Sequence, residues 1–332
     1  MKMMLYNLCL FLGLLSVIEA AYNGPSLLYE TVHESTIKTT PNAESVANYS
    51  VLGCLAESSV LEAHTRQLSS YGNPSRNLVR NATGHALAWS YMKSQMESYG
   101  LDAVEEQIYQ AQVWGSPNMK GPKGFANFTC DSLIASGECD PNQPWVVDMD
   151  GNRIVFNATT LVGRVTGSRY PNKVIVVGAH ADTVQAGPGA DDNGDGVAVV
   201  LEAARLLARS RPEYTIEFVA FDLEENGACR LMEDDPTDLV GTTYKGMCGS
   251  YKYVRDFAAT GRTMIAAFIM DSVGIYSSAP NTDVWMNSSS GPNFSEQVRS
   301  VARSRRSSVR SWRTSTISFL SFLSNTPAWS CT

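Results

Sequence analysis

The chain has 332 residues, 44% of them hydrophobic and 18% charged, with 33 acidic against 26 basic side chains. A formal charge of −7 argues against a nucleic-acid binder, and the composition is neither collagen-like nor disordered. The length suffices for one sizeable α/β domain or two small ones. Histidine is scarce, occurring only at His33, His64, His85 and His180, so no mechanism can draw on a histidine later in the chain.

Residues 1–20 read as a secretory signal: Lys2 supplies a short positive segment, Leu5 to Ile18 an apolar core, and Ala20 a small residue for cleavage. The apolar run is shorter than the roughly 20 residues of a membrane span, and no second run of spanning length follows. The expected location is therefore extracellular or the lumen of the secretory and vacuolar pathway, without a stable membrane span. Six Asn-x-Ser/Thr sequons, at Asn48, Asn81, Asn127, Asn157, Asn287 and Asn293, fit a secreted glycoprotein. Of seven cysteines, Cys9 leaves with the signal; Cys130/Cys139 and Cys229/Cys248 are near enough in sequence to close short loops, while Cys54 and Cys331 have no local partner.

Residues 21–60 are rich in Ser, Thr and Asn and predict an irregular N-terminal arm, with the main domain over 61–298. The spacing predicts a helix from Gly84 to Tyr99, with Leu87, Tyr91 and Met92 along one face, ended by Gly100. A short strand to about Gln112 follows, and then a loop insertion over 113–150 carrying Pro117, Pro122, Pro141 and Pro144. Beyond it the pattern becomes regular. Strands are expected at Thr160 to Val165, Lys173 to Ala179, Thr215 to Phe221 and Met264 to Met270, the last a buried one. Helices are expected at Gly196 to Ala208 and Ser250 to Ala259. This alternation implies an α/β fold, a three-layer αβα sandwich with a mixed, mostly parallel sheet, whose ligands sit beyond the carboxyl ends of the strands.

The residues at those ends carry the chemistry. His180 and Asp182 follow one apolar strand, Asp191 and Asp192 lie in GPGADDNGDG before a helix, Glu224 and Glu225 follow the next strand, and Asp271 follows the last. Carboxylates sharing one site would repel one another without a cation. One imidazole with several carboxylates is a ligand set suited to zinc or a related divalent ion.

The segments GAHADTVQAGPGADDNGDGVAVVLEAARLL, FVAFDLEENG and MDSVG closely resemble the secreted two-zinc aminopeptidases of the bacterial leucyl aminopeptidase and yeast aminopeptidase Y type. Glutamate carboxypeptidases and glutaminyl cyclases are more distant relatives. The resemblance covers roughly residues 60 to 298, and GADDN favours the peptidases over the cyclases. It implies that His180 and Asp271 hold the first zinc, that Asp192 bridges both ions, and that Glu225 holds the second. It further implies Glu224 as general base and Asp182 as the acid orienting His180, and leaves Asp191 without a metal role.

Two departures stand out. Between Glu225 and Gly249-Ser250 lies an insertion over 226–248, bracketed by Cys229 and Cys248. The family's second zinc also takes a histidine well beyond the Asp271 position, and none occurs here. From Arg299 to the end, residues 299–332 hold no acid, no Lys and no Gly, so the C-terminal part of the fold is expected to be missing or altered. Ser315-Thr316-Ile317 can be encoded TCG-ACC-ATT, which in another frame reads Asp-His, as a shifted frame from about codon 299 would require. The resulting expectation is a zinc-dependent exopeptidase of aminopeptidase type acting on peptides. A non-catalytic or truncated family member and a carboxypeptidase are the alternatives.

Overall fold

The computed structural model describes residues 55–113, 146, 152–184, 187–225, 228–233, 244–245, 247–274, 285–287 and 319–321. The expected signal over 1–20 and the expected arm up to residue 54, with Cys54, lie outside the described residues. So do Cys130, Cys139 and Cys331, most of the 113–150 loop, and the 299–332 tail apart from 319–321. The chain divides into two units, Met1–Gly274 and Ile275–Thr332.

The first unit opens with helix α1, Ser58–Tyr71, which buries Leu61, His64 and Leu68 at helical spacing. The helix therefore begins inside the segment expected to be irregular up to residue 60. Helix α2, Ala82–Tyr99, starts at Asn81, whose side chain accepts the Gly84 N–H at 3.0 Å, and ends at Gly100, left-handed with φ 77°. Its buried face is His85, Ala88, Trp89, Met92 and Met96. The expected face was rotated from this one: Leu87 is 48% exposed, because the stripe that meets the sheet is set by Trp89 and Met96. Asn81 spends its amide on the main-chain oxygen of Ser75 at 2.9 Å, whereas Asn157 is exposed.

The sheet follows. Strands β1 (Ala103–Val113), β2 (Phe156–Val165), β3 (Tyr170–His180), β4 (Tyr214–Phe221), β5 (Ala228–Leu231), β6 (Tyr244–Lys245) and β7 (Thr263–Met270) form one sheet in the order β6-β5-β1-β2-β4-β3-β7. Pairings β3·β4 and β3·β7 are parallel, while β1·β2, β2·β4, β1·β5 and β5·β6 are antiparallel. Most strands thus point one way, with β2 and β5 reversed. The truly parallel part of the mixed sheet is β4-β3-β7, where helical crossovers α3 (Asp195–Leu207) and α4 (Cys248–Ala259) join the strands.

One face of the sheet, presenting Val162, Val174, Val176, Val219 and Phe221, is covered by Tyr253 and Phe257 of α4. The other face carries α2 and α3, with Gly163 of β2 lying tight under Met96 and Leu101. This gives the expected three layers. Strand β4 is buried at every position, as its central place demands. Strand β7 departs from expectation: only Ala266 is buried along it and Ile269 is 55% exposed. The reason is positional, since β3 is its only partner among the described strands and an edge strand buries less.

A second core at the other side of the sheet joins Val79, Tyr109, Ala111, Ala158, Leu223 and the disulfide Cys229–Cys248, which ties β5 to the start of α4. No helix among the described residues is long and apolar enough to cross a membrane. In the second unit, β8 (Trp285–Asn287) pairs antiparallel with β9 (Phe319–Ser321).

One charge is buried within the α4-covered face. Glu217 accepts from Arg164 Nε at 2.8 Å, from an Arg262 Nη at 2.6 Å and from the Tyr253 hydroxyl at 2.5 Å. Burial alone would raise its pKa, but these donors outweigh it and hold the carboxyl below its ordinary 4.5. Its stabilising contribution is therefore complete above pH 4.5 and is lost as the pH falls through the lower, folded-state value. Glu217→Gln is expected to be less stable than the parent at pH 7, with the gap closing below pH 4.5, in urea titrations run at several pH values. Opening the Cys229–Cys248 bridge by Cys229→Ser with Cys248→Ser is expected to cost about 3 kcal/mol, given the short loop it closes.

Candidate metal centre

Because β4, β3 and β7 are adjacent and parallel, their carboxyl ends lie along one edge, with β3 in the middle. Strand β3 ends at His180. After β4 the chain passes Asp222 and turns at Leu223, which is left-handed with φ 58°, before Glu224 and Glu225. Asp271 follows the last residue of β7. Asp192 comes from the turn Ala190–Gly194 that leads into α3, with Gly189 left-handed at its entry. Asn193 fastens this turn to β7 by donating from Nδ2 to the main-chain oxygen of Met270 at 2.8 Å.

These elements gather the expected residues into one cluster. His180 Nε2 lies 3.1 Å from Asp192 Oδ1 and 3.6 Å from Asp271 Oδ1. His180, Asp192 and Asp271 each offer a ligand atom within 4.8 Å of the others, and so do His180, Glu224 and Glu225. The His180 side chain is only 7% exposed, while those of Asp192 and Asp271 are 53% and 64% exposed. The cluster therefore has a protected imidazole floor and an open carboxylate rim.

Asp182 is placed differently from the expectation of an acid hydrogen-bonded to His180. Its Oδ1 is 3.6 Å from His180 Nδ1, too long for a hydrogen bond, and that nitrogen lies 3.3 Å from the Asp182 main-chain oxygen. The buried carboxylate instead accepts the N–H of Glu224 at 3.1 Å and of Glu225 at 2.9 Å, one on each oxygen. It acts on the imidazole by charge and on the Glu224-Glu225 turn by direct bonds.

The electrostatics follow from crowding. Burial pulls the His180 pKa down, but Asp182, Asp271 and Glu224 outweigh it and push it up to about 11. The close His180 imidazole holds Asp271 below the usual carboxylate range. Glu224 is raised by burial and by the charges of Asp182, Asp271 and Asp192, and Glu225 is raised to about 7 by burial and by Asp192, Asp182 and Glu224. Glu225 Oε1 is buried with no hydrogen-bond partner among the described residues. That orphaned oxygen, the mutual repulsion and the imidazole together fit a divalent cation, which would replace the proton on His180 and relieve the carboxylates.

Sequence reasoning missed the residues that hold the site from behind. His85 Nε2 meets Asp222 Oδ2 at 2.9 Å and its ring stacks on Trp89, so this histidine braces the start of the Glu224-Glu225 turn. Asp222 also accepts the N–H groups of Thr159 and Leu223. Its place next to the Glu pair in FDLEE was the available signal. His64 is taken by Tyr91 and Tyr99. Asp195 is buried beside Asp191 and raised to about 8 by burial and that neighbour. Arg76, fully buried, grips the loop before Asp192 and had no signal of its own. Asp182→Asn would set an amide against the main-chain N–H groups of the turn. It is expected to weaken divalent-ion binding about 10–100-fold in competition with a chromophoric chelator.

The chain is similar to several known proteins. A 34% identity over 128 residues, 38% of this chain, relates it to an aminopeptidase of Pseudomonas aeruginosa. A 41% identity over 88 residues, 24% of this chain, relates it to a protein of Pyrenophora tritici-repentis described as "Probable zinc metalloprotease". The chain spans only 20% of the length of each of these relatives. Among solved structures, a leucine aminopeptidase precursor from Bacteroides thetaiotaomicron superposes with a TM-score of 0.48 at 18% identity, over 75% of this chain and 73% of that one. Residues 160–319, which include every member of the cluster, match the model of peptidase family M28, and this part of the chain is similar to that family.

Proposed function

We propose that the chain is a secreted zinc-dependent exopeptidase of aminopeptidase type. The observation that carries the reading is the convergence of His180, Asp192 and Asp271 with Glu224 and Glu225 at the carboxyl ends of three parallel strands. The match of residues 160–319 to the M28 model and the aminopeptidase and zinc-metalloprotease relatives support it. Secretion is supported by the apolar segment over 1–20, by the sequons and by the Cys229–Cys248 bridge, since disulfides persist in oxidising compartments.

In this reading His180, Asp192 and Asp271 would hold one ion, and Glu225 with Asp192 would hold a second. Bound zinc supplies Lewis acidity, lowering the pKa of a coordinated water toward about 7 and polarising the scissile carbonyl. Glu224 takes the proton of the attacking water on its carboxylate and returns it to the leaving amine. Its raised pKa suits both halves of that transfer, because a base poised nearer neutrality gives the proton back more readily. Asp182 keeps Glu224 and Glu225 at their stations through its two N–H bonds. The low exposure of His180 keeps bulk water from competing for it.

The second ion position is less well furnished. Asp192 and Glu225 serve it, and no histidine follows His180 in the sequence. This favours a second reading, a secreted family member that binds one ion and does not turn over peptides. An aminoacyl-chromogen assay with and without chelator separates the two. The enzymatic reading expects release of chromogen that stops on chelation and returns with zinc. Glu224→Gln should then keep its metal and lose about 10²–10⁴ of the rate. Full activity in Glu224→Gln would remove the base assignment, and activity indifferent to chelation would remove the metal from the mechanism.

A further inference from the structure

Among the described residues, the largest fully buried side chain is a cation. Arg76 is 0% exposed, yet every hydrogen bond of its guanidinium goes to a main-chain carbonyl and none to a carboxylate. Burying a guanidinium without a bonded counter-ion is costly unless its donors are satisfied and its charge is balanced nearby. The donors are satisfied by Ala181, Pro188 and Gly189: Nε reaches Ala181 O at 3.2 Å, Nη1 binds Pro188 O, and Nη2 reaches Gly189 O at 3.0 Å. The charge is balanced by Asp182 and Asp192, both members of the candidate metal centre. Burial pushes the guanidinium pKa down to about 10, and those two carboxylates hold it up, so it stays charged at neutral pH.

The positions of the three carbonyls are the telling feature. Ala181 stands between His180 and Asp182 at the end of β3, whereas Pro188 and Gly189 stand at the entry to the Asp192 turn. One rigid, planar group therefore fastens both ends of the connection between the imidazole and the carboxylate that face each other at 3.1 Å. Gly189 O is shared, accepting Arg76 Nη2 and also the Gly194 N–H at 2.9 Å, which closes the turn holding Asp192. The same short segment adds two more ties: Arg76 N–H donates to Thr183 Oγ1 at 2.8 Å, and Asn77 Nδ2 donates to Thr183 O at 2.8 Å. The fit is close enough to require glycine, since a Cβ at Gly189 would lie 3.1 Å from Arg76 Nη2 and 2.2 Å from Thr183 Cγ2.

We infer that Arg76 is a positioning residue for the metal centre, clamping Ala181 to Pro188 and Gly189 so that Asp192 is set against His180 before any ion binds. The inference rests on the metal reading proposed above and adds to it what assembles the site. Without the clamp, Asp192 would be repelled by Asp182, Glu224 and Glu225, and the ion would have to gather it at the expense of affinity. A positive charge near a cation site by itself weakens cation binding; the clamp and the charge thus predict opposite effects when Arg76 is neutralised. The number and placement of the bonds favour the clamp.

The test uses the full chain, with Zn²⁺ as probe. Arg76→Met keeps the bulk and removes the clamp, and Arg76→Lys keeps the charge without the fork. Zinc affinity is read by chelator competition, and amide hydrogen exchange of the 181–194 segment is read in metal-free protein. Arg76→Met is expected to bind zinc about 10–100-fold more weakly and to exchange faster over 181–194 than the parent, with Arg76→Lys recovering only part of the loss. Unchanged or tighter zinc binding in Arg76→Met, unchanged exchange of the segment, or full recovery by Arg76→Lys would each overturn the inference. If Arg76→Met does not fold, Thr183→Val, which removes one tie only, decides: a smaller loss in both readouts supports the clamp and no loss refutes it. A parent protein that binds no zinc refutes the metal reading, while the exchange comparison in metal-free protein still judges the clamp.

Discussion

The arrangement of this protein turns on the repulsion among carboxylates brought to one edge of a sheet. Asp182, Asp192, Asp271, Glu224 and Glu225 converge on a single imidazole, and the consequences are visible in the shifts of His180 to about 11 and Glu225 to about 7. Such a concentration of like charge does not arise from folding alone, because it opposes folding. It becomes intelligible as a site whose missing charge comes from outside, and the rest of the chain is built to hold it open until then.

That holding is done in layers. Three parallel strands give the common edge, and the left-handed residues Gly189 and Leu223 turn the chain so that Asp192 and the Glu pair face inward. Two buried aspartates then fix the Glu224-Glu225 turn: Asp182 through the N–H groups of both glutamates, and Asp222 at its start through His85, Thr159 and Leu223. Arg76 grips the other wall. Midway along β4, Glu217 is also buried, but its three donors satisfy it completely, so it steadies the sheet instead of awaiting a ligand. The contrast between Glu217 and Glu225 separates a structural buried acid from a functional one.

The sequence showed the strands and the cluster because both leave local traces. An apolar run followed by an acid or a histidine marks a strand end, and His180, Asp192, Glu224, Glu225 and Asp271 all lie together as that pattern expects. It failed where position in the sheet decides the outcome. Nothing within TMIAAFIM says that β7 lies at an edge of the described sheet with Ile269 exposed, and nothing within ATGHALAWSYMKSQMESY says that Leu87 faces outward. The supporting residues were equally hidden. Arg76 and His85 act over more than one hundred residues of sequence separation, on Ala181 and Asp222, and such partners are set by topology alone. Asp182 was found, but its bonds to the Glu turn were not, since they depend on β3 and β4 lying side by side.

The metal content of the purified protein tests the central claim most directly. Expressed through a secretory pathway and dialysed against metal-free buffer, the chain should retain at least one tightly held zinc, as the His180, Asp192 and Asp271 set would allow, and His180→Ala should retain none. A folded parent protein that carries no zinc and takes up none when it is offered would contradict the account.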